Sequence, residues 1–252
     1  MNKTILISGA TSGFGEATAR LFAQQDYTVI ITGRRIERLN ALANSISPDK
    51  SFKIIPLCFD VRSREDCFNA IQLLGSKVDS IDLLVNNAGL AAGFDLFEEA
   101  SIDDWDNMID TNVKGILYLT KACLPLLKKS DAPQIINIGS TAGKEVYQKG
   151  NVYCASKHAV DALSKAMRID LLHLGIKVSS INPGLSETEF SMVRFKGDQQ
   201  KAKQVYEGLK ALQAQDIAQL IQYIAQLPPH VCLNDVTLTC LAQANSFYTI
   251  RK

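Results

Sequence analysis

Three residues within one short stretch can do chemistry together. In GSTAGKEVYQKGNVYCASKHAV, residues 139–160, Tyr153 and Lys157 stand four apart and Ser140 lies upstream. Residues at i and i+4 share a helix face, so a phenol and an ammonium can enter one cleft. A free tyrosine has a pKa of about 10, too high for an efficient base near neutrality. A cation about 4 Å away, at an effective dielectric of about 20, favours the phenolate by about 4 kcal/mol, or roughly three pKa units. Lys157 can supply that cation, and Ser140 can donate a hydrogen bond to a substrate oxygen. Taken singly, each residue has a plainer reading: a packing tyrosine, a solvated lysine and a loop serine.

Whether they meet depends on the elements that carry them. Apolar runs of strand length recur at 3–8, 27–32, 52–58, 81–85, 134–139, 176–182 and 235–241. They are nearly continuous in Ile, Leu and Val, as strands buried on both faces are. Helical patterns alternate with them at 16–25, 36–46, 63–76, 103–128, 152–174 and 214–226. Strand–helix alternation along all 252 residues predicts a single-domain α/β fold, a Rossmann-type doubly wound parallel sheet with helices on both faces. Ser140 then falls at the C-terminal end of a strand, the usual ligand edge of such a sheet. The least regular segment, 185–210, reads as a substrate loop or lid.

A second site is written into the first strand's exit, SGATSGFGEATARLF. Gly9, Gly13 and Gly15 form a G-x-x-x-G-x-G pattern between a strand and a helix. Gly9 suits a tight turn; Gly13 and Gly15 let backbone approach a pyrophosphate at the helix N-terminus. The loop residues Gly9, Thr11, Ser12, Gly13, Phe14 and Gly15 are therefore expected to bind a dinucleotide. An NAD site places an acid after the second strand, about 20 residues past the glycines, on the ribose 2′-hydroxyl. This chain has Gly33, Arg34 and Arg35 there. Two guanidinium groups without an acid match a 2′-phosphate, so NADP(H) is expected. The plainer alternative is a solvated pair at a helix start.

Composition excludes other classes. The net charge is +1, with Lys and Arg spread along the chain, which gives no nucleic-acid or membrane surface. No apolar run reaches about 18 residues, and the N-terminus does not read as a signal peptide. Six cysteines without a C-x-x-C pair, with Cys58, Cys123 and Cys240 in apolar runs, read as small hydrophobes in a reduced, cytoplasmic protein. His158, His173 and His230 show no metal spacing. Cys154 reads as packing, and Trp105 and Met108 as core or interface.

With these motifs on the page, the sequence resembles the short-chain dehydrogenase/reductase family. The matching pieces are GATSGFG (9–15), NNAG (86–89), Asn112 in DTNVKG, Ser140 in NIGSTAG, YCASK (153–157) and NPGLSET (182–188), in the family's order along the whole chain. The resemblance implies a nicotinamide-dependent oxidoreductase. Tyr153 would be the acid/base, with Lys157, Ser140 and Asn112 completing the catalytic set and Asn112 holding a relay water. The oxidised ring and Lys157 would together lower the Tyr153 pKa. Asp60 and Val61 would line the adenine pocket, and Asn87 and Gly89 the ribose. Pro183, Gly184 and Thr188 would hold the nicotinamide amide and phosphates, with Tyr153 and Lys157 also touching the cofactor. A homo-oligomer, dimer or tetramer, is implied through helices 103–128 and 152–174.

The segment 183–209 is similar to NADP-dependent 3-hydroxy acid dehydrogenases, which implies serine, allo-threonine and small 3-hydroxy acids as substrates. A carboxylate needs a cation in a partly dry cleft. Arg194 is the leading candidate beside Ser140, with Lys196 and Lys144 as others. Arg194 can instead tie the loop to Glu189 or meet a neighbouring subunit. A broader carbonyl or 3-oxoacyl thioester reductase and a non-catalytic NADP-sensing scaffold stay open.

Overall fold

The computed structural model describes residues 3–49 and 53–252. Seven strands form one sheet in the order β3-β2-β1-β4-β5-β6-β9, and every pairing is parallel. They are β1 (Lys3–Ile7), β2 (Tyr27–Gly33), β3 (Ile54–Cys58), β4 (Leu83–Asn86), β5 (Gln134–Ile138), β6 (Lys177–Pro183) and β9 (Asp235–Leu238). All seven apolar runs thus supply a strand, although residue 52 of the third lies outside the described residues. The last is shorter than its apolar pattern. Its pairing ends where Gly184 N–H donates to Leu238 O, and Leu241 beyond it is fully exposed.

Helices cover both faces, as the alternation of buried residues requires. Ile5 and Ile7 of β1 pack with α1 (Gly13–Ala23), α2 (Ile36–Ile46) and α9 (Ala214–Ala225). Leu6, between them, points to the opposite core with α3 (Arg64–Leu74) and α5 (Gly115–Leu127). Side chains two apart share a face of a strand, which gives a β1 with one residue type two cores to fill.

The expected helix 103–128 is interrupted. α4 (Ile102–Ile109) runs through a π-helical turn, Asp110–Lys114, into α5. Such a widened turn is invisible to a 3.6-residue period and marks functional positions in many helices. It contains Asn112. The expected helix 152–174 is α6 (Asn151–Asp170) followed by a 3₁₀ turn, Leu172–Leu174, and it stops at Gly175 in the left-handed conformation, φ 69°. The segment expected to be irregular holds α7 (Glu189–Arg194) and α8 (Gln199–Gln204). It is flanked by a two-strand pair of β7 (Ser186–Glu187) and β8 (Leu212–Gln213).

Beneath the C-terminal edge of the sheet runs a buried polar ladder. Asn86 of β4 donates to Thr120 of α5 at 2.9 Å and to Asn137 of β5 at 2.8 Å. Asn137 donates to Ser164 of α6 at 2.9 Å. Buried amides need such partners, and these bonds tie β4, β5, α5 and α6 into one packing, although Asn86 Oδ1 itself accepts no hydrogen bond among the described residues.

Candidate active site

The order in which strands join the sheet reverses between β1 and β4, and a crevice opens at that switch point. Asn87, just past β4, donates from Nδ2 to Ser8 O (2.8 Å) and Gly9 O (3.1 Å). Ser8 Oγ accepts the N–H groups of Asn87 and Ala88. The glycine loop and the NNAG segment are thereby locked together. Gly9 needs its freedom: φ is +65°, and a Cβ there would lie 2.9 Å from Ala88 Cα. Gly15 does not line the cleft. A Cβ on it would meet Gly9 O at 2.5 Å, so it brings α1 close to the turn.

The cleft, of about 350 Å³, is bordered by almost all of the expected cofactor residues. Gly9, Thr11, Ser12, Gly13 and Phe14 line it, with Arg34, Arg35, Asp60, Val61, Asn87, Gly89, Pro183, Gly184 and Thr188. Arg35 donates to Thr11 Oγ1 at 3.0 Å, which sets one guanidinium against the glycine loop. Burial lowers the Arg35 pKa, reinforced by Arg38, yet an arginine stays cationic at any working pH. Asp60 is held below the usual carboxylate range: burial opposes ionisation, but hydrogen bonds and charge from Arg62 outweigh it. Arg62 Nη2 sits 2.7 Å from Asp60 Oδ2, and its Nη1 donates to Asn107 Oδ1 at 2.6 Å. The pattern reading missed Arg62, because an arginine two residues from an aspartate gives no signal of its own.

At the far end of the cleft stand Ser140, Tyr153 and Lys157, all buried. Ser140, two residues past the end of β5, caps the 3₁₀ turn Thr141–Gly143, accepting Ala142 N–H at 3.1 Å. Tyr153 and Lys157 leave the first turns of α6 on one face, as their spacing predicts. Burial pushes the Tyr153 phenol well above its usual range, and the Tyr147 phenol adds to this; the hydrogen bond with Ser140 and the Arg194 charge work against it. Lys157 Nζ donates to Ile138 O at 2.9 Å, and burial lowers its own pKa to about 8. On balance the Tyr153 phenol stays raised, with burial outweighing Ser140 and Arg194, while the carbonyl at the end of β5 accepts from the Lys157 ammonium.

Asn112 is fully engaged. Its Nδ2 donates to Leu90 O (2.8 Å) and Ser156 Oγ (2.9 Å), and its Oδ1 accepts Leu90 N–H (2.8 Å). The side chain thus rivets the π turn to α6 and the loop after β4. A Cβ on Gly89 would sit 3.3 Å from Asn112 Oδ1 and 3.6 Å from Lys157 Nζ, so a bare backbone passes between them.

The three cationic substrate candidates part company. Arg194, at the end of α7, lies among three rings: its Cζ is 4.5 Å from the centre of Phe94, 5.5 Å from Tyr147 and 5.5 Å from Tyr153. It donates to Tyr147 Oη at 3.1 Å and to Gly93 O at 3.4 Å. The tie to Glu189 is not made; Glu189 pairs with Arg38. Lys144 is turned away from the cleft, 2.5 Å from Asp161 and 2.7 Å from Asp235. Burial alone lowers its pKa, but those two carboxylates outweigh it and raise it. Placing Lys144 at the substrate is corrected on that geometry: two aspartates in α6 and β9 hold it. Lys196 pairs with Asp104 at 2.8 Å. Tyr147, Phe94 and Phe190 join the site without having been singled out; Phe190 packs on Tyr153 at 5.5 Å. Cys58 is exposed rather than packed, while Cys154 is buried as expected.

This arrangement of a glycine loop, a serine at a strand end and a Tyr–Lys pair on one helix is matched by a family profile. Residues 3–199 match the short chain dehydrogenase profile. The chain belongs to the short-chain dehydrogenase family. It is 44% identical over 241 residues to the NADP-dependent 3-hydroxy acid dehydrogenase of Salmonella typhi, covering 95% of this chain and 96% of that one. It is 40% identical over 251 residues to sulfoacetaldehyde reductase 2 of Chromohalobacter salexigens, covering 99% of each. Among solved structures, the closed form of serine dehydrogenase complexed with NADP+ superposes with a TM-score of 0.88 at 40% identity, covering 99% of both chains. Among the described residues no three His, Cys, Asp or Glu side chains group as metal ligands, and no helix is long and apolar enough to cross a membrane.

Proposed function

We propose that the protein is an NADP(H)-dependent dehydrogenase of small 3-hydroxy acids such as L-serine or L-allo-threonine, oxidising the 3-carbon. The observation that carries this reading is Arg194 held among rings one residue layer from Tyr153 and Ser140. A caged guanidinium beside an acid/base pair suits a substrate bearing an anion a short distance from its reacting oxygen. The similarity to a 3-hydroxy acid dehydrogenase and to a sulfoacetaldehyde reductase supports it, since both act on small acids by their names.

The residues fit the cofactor. The glycine turn presents bare backbone to the cleft, and Arg34 and Arg35 border it where a 2′-phosphate needs cations. Thr11, Ser12, Gly13, Phe14 and Thr188 would hold the pyrophosphate, Asp60 and Val61 the adenine, Asn87 and Gly89 the ribose, and Pro183 and Gly184 the nicotinamide end. A bound NADP+ would supply the hydride acceptor for the substrate 3-carbon. Ser140 Oγ donates a hydrogen bond to the substrate oxygen and fixes its direction. Tyr153 Oη receives the hydroxyl proton in oxidation and returns it in reduction. Its raised pKa keeps it protonated at neutral pH, the form that gives the proton in reduction, while the Ser140 hydrogen bond and the Arg194 charge act against that rise. Phe190 and Tyr147 keep water from that proton.

The test is NADP+ reduction by serine, allo-threonine and 3-hydroxyisobutyrate, set beside NADPH oxidation by sulfoacetaldehyde and an acetoacetyl thioester, in wild type and Arg194→Ala. Losing one charged hydrogen bond costs about 1.5–3 kcal/mol, so KM for the acids should rise about 10- to 100-fold. Equal turnover of an uncharged alcohol and the acids would point to the broader carbonyl reductase, and no turnover of any to a cofactor-binding scaffold. We also infer a cytoplasmic homo-oligomer, dimer or tetramer: Leu117, Ile169 and Leu172 on α5, α6 and the following turn stay exposed in the single chain. Light scattering of the purified protein tests the assembly.

A further inference from the structure

Three guanidinium groups gather at the mouth of the cleft, and one carboxylate faces them from the substrate lid. Arg34 and Arg35 border the cleft, Arg35 touches the glycine loop through Thr11, and Arg38 follows one turn along α2. Asp60 lies 3.9 Å from Arg34, but Arg62 binds it at 2.7 Å. The carboxylate left to the cluster is Glu189, the first residue of α7, which also borders the cleft. Its Oε2 and Oε1 lie 3.3 Å and 3.5 Å from Arg38 Nη1. Its charge is felt at Arg35 as well.

We propose that Glu189 is a built-in counter-charge that competes with the cofactor's 2′-phosphate for the Arg34–Arg35–Arg38 cluster and so weakens NADP(H) binding selectively. The proposal rests on the reading that this cluster takes the 2′-phosphate. A phosphate carrying nearly two negative charges is drawn to the same guanidinium groups, and like charges at short range repel. Glu189 must share Arg38 with the phosphate or turn aside. Either outcome lowers affinity for NADP(H) and leaves NAD(H), which has no 2′-phosphate, nearly untouched. Because Glu189 opens the helix that ends in Arg194, the same carboxylate sits at one end of α7 and the substrate cation at the other. Weakened cofactor retention suits an enzyme whose product release includes the dinucleotide.

The experiment is titration of wild type, Glu189→Gln, Arg38→Gln and Arg35→Leu with NADPH and with NADH, followed by nicotinamide fluorescence. Both members of the Arg38–Glu189 pair are half exposed, so the effect is modest and sensitive to salt. Glu189→Gln is expected to tighten NADPH about threefold to fivefold at low ionic strength and NADH less than about twofold. Arg38→Gln is expected to move NADPH the opposite way, and high salt to erase both effects. A merely structural ion pair that seats the lid would shift both variants in the same direction and both cofactors alike, and that pattern overturns the proposal. So does an unchanged NADPH affinity in Glu189→Gln while Arg35→Leu loses its preference for NADPH. If Arg35→Leu keeps that preference, the 2′-phosphate reading itself has failed.

Discussion

The two halves of the cleft are made of different materials. The cofactor half is backbone: strand ends, a glycine turn at φ +65° and the Asn87 amide that clamps it. The substrate half is side chains carried on short elements, with Arg194, Phe190 and Tyr206 on or beside α7 and α8. There Tyr206 bonds Ser191 at 2.6 Å and Ser186 O at 2.8 Å. Backbone sites tolerate few substitutions where a Cβ would collide, as at Gly9 and Gly15. Side-chain sites on loops change their ligand with a single residue. The contrast teaches where the chemistry is common to a family and where selectivity resides.

The sharpest test of that division lies on the boundary. Tyr153→Phe removes the proton carrier alone; kcat should fall about 10²- to 10⁴-fold while NADPH still binds. A comparable loss of cofactor binding by fluorescence titration would merge the two halves. Next in size, Arg35→Leu should lower kcat/KM for NADPH about 10- to 100-fold and leave NADH nearly constant. Third is Lys157→Met, read as stability against pH. The folded-state pKa of Lys157 is lowered to about 8 from 10.5. Between those values the unfolded chain holds a proton that the native one has released, so this residue's contribution rises with pH across that window. Wild type should gain up to about 3 kcal/mol on the variant from pH 8 to pH 10.5 in denaturant titrations, and a flat difference would show a charged lysine.

On the substrate side, Arg194→Ala should also move the pH profile of alcohol oxidation upward. The guanidinium helps lower the Tyr153 pKa, so its removal leaves the phenol harder to ionise and the reaction in need of more alkaline solution. The smallest effect belongs to Lys144→Ala. It loses a partly exposed tie to Asp161 and Asp235, which is worth about 1 kcal/mol of stability, and KM should not change. A raised KM would return Lys144 to the substrate.

What could be read from sequence follows the same division. The strands were legible because residues buried on both faces leave unbroken apolar runs, and Tyr153 and Lys157 because helical spacing fixes their shared face. The π turn at Asn112 was not, since one residue too many in a turn leaves the apolar pattern on either side intact. Nor was the pairing of Lys144, because Asp161 and Asp235 are 17 and 91 residues away along the chain. Tyr147 and Phe94 were passed over for a related reason: the aromatic cage is assembled from two separate loops and helix α6, and no spacing announces it.

The polar ladder under the sheet edge has a mechanical meaning. Ser164 sits on α6 three turns beyond Tyr153, and its bond to Asn137 sets the angle through which that helix is turned about its own axis. A helix held by apolar contacts alone can roll a little at small cost; one keyed by a buried amide cannot. A shift of about 1 Å at a reacting atom costs about 10²-fold in rate. The ladder therefore acts as an alignment pin, placed well away from the phenol it aims.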